Sequence, residues 1–267
     1  MTGKLRTAVV MTARETVRNR TACVLALVLP LLFNGLTLLM TSERIVVFQL
    51  ASISLEPDIE VPARSEVLVF MALIAIGFMS AFFGVNLIQK HGRTNRRLVI
   101  CGYRPSQLVV SKLIVLSGSV VIVSLYCLAL MTPFFIPRRP ASVLAGLALV
   151  GYVYGCYGLL IGTVWRRELE AMFSVILLTN IDVGWLQNPV FYTEAENKTF
   201  IHWLPAYWPV QAAMTGAFTD QGFGAAALGA IAYGTTLLLI AIFVFWRQVR
   251  MATAAAPRTG RLLVETP

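Results

Sequence analysis

Apolar residues in this chain come in long blocks, and short stretches between them hold nearly all of the charge. A hydrocarbon core roughly 30 Å thick takes about 20 residues of apolar helix to cross, so each block predicts a membrane span. Six spans follow, at Thr21–Met40, Val67–Ile88, Ser106–Thr132, Ala141–Val164, Ala171–Leu186 and Ala225–Trp246. The predicted fold class is an all-α membrane protein. Its layout is an N-terminal helix over 1–20, a six-span domain over 21–246 and a tail over 247–267.

The stretches between and beside the spans refine this picture. In residues 3–20, Leu5, Val9, Met11 and Thr12 share a face with Thr16, while Lys4, Arg6, Arg14 and Arg18 stay polar. A basic amphipathic helix of this kind lies in the membrane interface. The same residues would also serve as a basic flank that orients span one. Span one carries Pro30, which predicts a kink, and Asn34, expected to hydrogen-bond a neighbouring helix or to face a pathway. Residues 42–66 are acidic, and part of 44–55 alternates like a strand but is too short to span. Gly77, Ser80, Ala81 and Gly84 in span two are small enough for close helix contact. Gly151/Gly155 and Gly158/Gly162 in span four are two GxxxG pairs, with Tyr152, Tyr154 and Tyr157 among them. They predict a tight helix seam, or tyrosines along a substrate path.

Span five is interrupted by Asn180 and Asp182. Asp182 is the lone acid inside a span, which makes it a functional candidate. From the apolar pattern it sits toward the outer end, within reach of water. Residues 187–223 are too polar to span and rich in aromatics. They predict short helices dipping into the outer leaflet, with Trp203, Tyr207 and Trp208 at the boundary as gate candidates.

Charge adds direction. Only 13% of residues are charged, against about 25% in soluble domains. The net charge of +9 would suggest a nucleic-acid partner in a soluble protein. Here the cations flank apolar runs, so they are read as orientation and no nucleic acid is expected. Of the 22 Lys and Arg, 17 fall on the side of both termini, and six of these lie in the 89–112 loop. Positive-inside bias puts both termini in the cytoplasm. The four cysteines form no CxxC pair and there are two histidines, so no metal site is expected. No GxxxxGK[ST], HExxH or GxSxG pattern occurs, and no catalytic residue is assigned. A lipid-modifying membrane enzyme would need polar groups meeting at one depth, for which Asp182 and His202 are the candidates. A proton- or sodium-driven carrier would favour internal repeats and several buried charges, and no convincing repeat is visible.

Two motifs and the layout carry a resemblance. The first is Gly92-Arg93-Thr94-Asn95-Arg96-Arg97-Leu98, followed by Lys112 at the opening of span three. The second is Leu204-Pro205-Ala206-Tyr207-Trp208-Pro209-Val210-Gln211-Ala212 before the last span. With the basic N-terminal helix and six spans, these resemble the permease subunits of ABC-2 type transporters, bacterial exporters of the cytoplasmic membrane. The resemblance implies two permease chains, identical or different, above two separate ATPase subunits that bind ATP and Mg, with no cofactor on this chain. It implies that loop 89–105 is the coupling helix, with Arg93, Arg96, Arg97, Leu98, Tyr103 and Arg104 against the ATPase. Arg6, Arg14 and Arg18 would clamp the same ATPase. The 187–223 hairpin would close the pathway from outside, and a hydrophobic or amphiphilic cargo (an antibiotic, drug, lipid or peptide) would move outward.

Overall fold

The computed structural model describes residues 2–50, 59–89, 105–165 and 167–254. Six of its helical stretches are long and apolar enough to cross a membrane, so this is a multi-pass, largely helical membrane protein.

Helix α1 (Thr2–Arg18) turns Ala8 inward, with Leu5, Val9, Thr12 and Thr16 half-buried beside it. That is the predicted stripe without Met11, which lies about 100° round the helix from Thr12 and is exposed. Asn19 separates α1 from α2 (Arg20–Met40) and caps α2 through its side chain. Pro30 lies inside α2, and Asn34 donates to the Pro30 carbonyl at 2.9 Å. The expected bond across to another helix is therefore replaced by one within α2, because the i−4 carbonyl is the nearest acceptor to a short amide side chain.

The all-α expectation has one exception. Strands β1 (Ile45–Phe48) and β2 (Ile59–Pro62) pair antiparallel, with Phe48 opposite Ile59 and Ile45 opposite Pro62. Phe48, Ile59 and Val61 point inward, and Phe48 meets Phe218 edge-on at 5.8 Å. An Arg64–Glu43 ion pair at 2.5 Å stands at the base of the hairpin. The strand-like alternation was thus real for four residues, which gain stability from the aromatic contact below them.

Helix α3 (Ala63–Gln89) starts before its apolar block, with Glu66 in the first turn. Helix α4 (Pro105–Met131) and helix α5 (Pro140–Val164) follow. Proline suits the first turn of each, where its missing N–H has no helical partner. Helix α6 (Glu168–Thr179) passes into a π-helical segment (Asn180–Leu186). Short helices α7 (Pro189–Glu194) and α8 (Lys198–His202) lead to α9 (Tyr207–Phe218) and α10 (Gly224–Ala254). Helix α10 outlasts predicted span six and takes in the start of the 247–267 tail.

Helix α5 is the hub, packing against α3, α4, α6, α9 and α10. Its glycines are the reason, since they face several directions. A Cβ on Gly158 would run into the Ala81 backbone of α3, and one on Gly146 into Ala213 of α9. The predicted seam is present, and small residues make it by letting backbones touch. Tyr152 of α5 in turn lies against Gly234 of α10.

Candidate functional site

The chain from Asn180 to Phe218 folds back into the bundle, and its geometry follows from its contacts with α5. Gly216 of α9 abuts Ser142 and Ala213 abuts Gly146, while Ala206 is bonded to the same carboxylate as Tyr154. Helix α9 therefore starts deep beside α5 and rises to the end that carries β1 and β2. The backbone N–H groups of Arg138 and Arg139 meet the carbonyls of Ala217 and Gly216 there. At 1.5 Å per residue, Tyr154 lies roughly 21 Å along an α5 about 37 Å long.

Asp182 sits at that level. It is 5% exposed and belongs to the π segment. Gly77 at the middle of α3 faces Thr179, Val183 and Tyr154 on the same level. The structure therefore moves Asp182 from the predicted water-accessible end of span five to the mid-height of the bundle. The cause is the fold-back, in which residues 187–206 cover it. Asn180 does not break the helix either, since its amide bonds the Ile176 carbonyl and the chain continues with a wider turn.

Three donors surround the Asp182 carboxylate. The Tyr154 hydroxyl and the Ala206 N–H (3.0 Å) both donate to Oδ2. Gln187 Nε2 donates to Oδ1 at 3.3 Å, and approaches the Ile201 carbonyl at 3.5 Å. The Gln187 N–H also bonds the Asp182 carbonyl at 3.1 Å. A buried anion is tolerable when each oxygen is met by a donor. Among the described residues these donors, and no paired cation, answer its charge.

Beside this group lies an aromatic cluster. Tyr192 and Tyr207 are buried, and the Tyr192 hydroxyl shares a 3.0 Å hydrogen bond with His202 Nε2. The His202 and Tyr207 rings are 4.4 Å apart, and Lys198 Nζ stands 5.3 Å from the Tyr192 ring centre. Burial pushes both phenols above their ordinary range; the neighbouring Tyr192 adds to the rise at Tyr207. His202 thus pairs with Tyr192, not with Asp182.

The other candidates are placed as follows. Tyr207 adjoins Ala206 in the interior, whereas Trp203 is 76% exposed with its carbonyl bonded by the Tyr233 hydroxyl at 3.0 Å. Trp208 packs on Gly229 of α10. Asn34 stands outside this hydrogen-bonded group. Arg6, Arg14 and Arg18 line the exposed side of α1. Arg93, Arg96, Arg97, Leu98, Tyr103 and Arg104 lie outside the described residues. Among the described residues no group of three His, Cys, Asp or Glu converges to hold a metal.

Sequence reasoning missed the surroundings of three positions. Gln187 stood at the start of the aromatic stretch after span five, and its bond to Asp182, five residues back, depends on the wider π turn. Glu66 was assigned to the acidic loop but is 2% exposed, with one carboxyl oxygen unpartnered among the described residues. Its signal was its place in a first helical turn, where an acid suits the helix dipole. Lys112 was one of the loop cations, yet it is 7% exposed and donates to the Leu87 carbonyl at 2.5 Å. Neither protein-family models nor curated proteins give a match to this chain.

Proposed function

We propose that this chain is the membrane-spanning permease subunit of an ATP-driven ABC-2 type exporter in a bacterial cytoplasmic membrane. The observation that carries the reading is the fold-back of residues 187–218 between the fifth and sixth spans. It forms a re-entrant hairpin reaching the mid-height of the bundle from one side. Support also comes from α1, which packs on α4 with Arg6, Arg14 and Arg18 exposed, as an interfacial clamp would. In this reading both termini are cytoplasmic, and two permease chains stand above two ATPase subunits that carry ATP and Mg. Loop 89–105 is the coupling element, with charged contacts setting register and Leu98 and Tyr103 supplying apolar anchorage. The re-entrant hairpin closes the pathway from outside, and the cargo is hydrophobic or amphiphilic. The lipid-modifying alternative fits less well, since it needs His202 beside Asp182 and His202 is engaged with Tyr192.

The test is purification of the tagged chain from its native membrane in mild detergent, followed by assay of ATP hydrolysis. An ATPase subunit should co-purify with vanadate-sensitive activity. The combined change Arg96→Ala, Arg97→Ala and Tyr103→Ala should remove more than nine-tenths of both while the chain stays in the membrane. Unchanged hydrolysis and co-purification in that variant would overturn the coupling assignment.

A further inference from the structure

Residues 187–206 leave the bundle interior and return to it, and both ends bond the same side chain; the start also bonds the Asp182 carbonyl through the Gln187 N–H. At the start, Gln187 bonds Asp182 Oδ1 and approaches the Ile201 carbonyl of α8. At the finish, the Ala206 N–H bonds Asp182 Oδ2 one residue before α9 begins. The Tyr154 hydroxyl fastens that same oxygen to α5. One carboxylate thus joins the π segment, the two ends of the excursion and the hub helix. Farther along, the excursion packs on itself through Tyr192, Ile201 and His202 and meets its surroundings at several points. The Gln49 N–H reaches Thr193 Oγ1 at 3.5 Å, and Tyr233 bonds the Trp203 carbonyl. A segment whose two ends are held at one point can swing as a unit when that point lets go.

We infer that Asp182 is a positioning residue, the latch that holds the 187–206 segment shut against α5 and keeps Tyr207 seated inside. Its part in gating rests on the permease reading above; the latch itself rests on the geometry alone. Asparagine at this position keeps the shape but offers one acceptor oxygen in place of two, and its NH2 group faces a donor. Asp182→Asn therefore loosens one end of the segment or both. Tyr154→Phe removes the tie to α5 and leaves the other two donors in place.

The experiment uses the full chain in proteoliposomes with Cys23, Cys101 and Cys156 replaced by alanine and Ile201→Cys as reporter. Ile201 is 4% exposed, and native Cys127, 0% exposed on α4, is kept as a control for global unfolding. A membrane-impermeant maleimide is applied and both sites are read by peptide mass spectrometry. Asp182→Asn should speed labelling at position 201 at least tenfold, and Tyr154→Phe two- to fivefold, with Cys127 silent. The double variant should label no faster than Asp182→Asn alone, because both act through one carboxylate. Rates within twofold of the parent in both single variants would overturn the latch, as would effects that multiply in the double variant. If Asp182→Asn exposes Cys127, the Tyr154→Phe rate decides by the same limits. Failure of an ATPase to co-purify would count against the permease reading and leave this result standing.

Discussion

Asp182 and Lys112 are almost equally buried, at 5% and 7% exposed, yet the bundle holds them in opposite ways. Asp182 is at mid-height, too far from either end for a short side chain to reach water. The fold brings three donors to it from α5, the end of the π segment and the entry to α9. Lys112 lies only roughly 10 Å into α4, and its long stem carries the ammonium to the last turn of α3. There it donates to the carbonyl of Leu87, one of the four that a helix end leaves unsatisfied. Glu15 of α1 stands within Coulombic reach. The difference teaches that burial alone does not measure how far a structure depends on a charge. Depth and side-chain length decide whether the protein must be built around it or the charge serves to cap what is already built.

The sharpest way to break this comparison is to delete each charge. Asp182→Ala leaves the Tyr154 hydroxyl and the Ala206 N–H buried without a partner, at about 1–3 kcal/mol each. Lys112→Met removes one charge-assisted capping bond while keeping the apolar stem, at about 1.5–3 kcal/mol. Thermal unfolding in detergent should show a clearly larger fall in Tm for Asp182→Ala; an equal or larger fall for Lys112→Met would sink the distinction. Tyr154→Phe should cost about 1.5–3 kcal/mol in the same assay, and less than Asp182→Ala, since the other two donors still meet the carboxylate.

The smallest effect concerns neutral groups. Tyr192 and Tyr207 have phenols raised above the ordinary value of about 10 by burial. The unfolded chain loses these protons first as pH rises. The stability they contribute is therefore complete below about pH 10 and is lost as pH climbs toward the raised values. Tyr192→Phe should flatten the fall of Tm above about pH 10 by a degree or two. A fall as steep as that of the parent would mean the phenol is not protected.

Much of the fold was legible because membrane insertion reads simple quantities. Block length marked all six spans, and the pairs Gly151/Gly155 and Gly158/Gly162 marked α5 as a close-packing helix. What escaped were residues whose meaning depends on distant partners. Glu66 read as a loop acid because only the first turn of α3 and the structure above it bury the side chain. Gln187 was not singled out because an i−5 pairing with Asp182 arises in a π turn, which the apolar pattern does not reveal. Asp182 was found, but at the wrong depth, since an apolar count along a helix cannot see a segment that folds back over it.

By itself the sequence determined which stretches are long and apolar enough to cross a membrane, roughly where each begins and ends, and which helix can approach its neighbours most closely. The physical reason is that a long apolar run has one stable home and a glycine face admits close backbones. Only the tertiary structure decided which helices sit inside the bundle. Helix α3 and helix α10 are comparably apolar, yet 78% of the spanning window is buried in the first and 17% in the second. Hydropathy scores transfer out of water and gives the same value whether the new neighbour is lipid or protein. The position of Asp182 was decided the same way, by donors on α5 and at Ala206 that come together only once the chain has turned back.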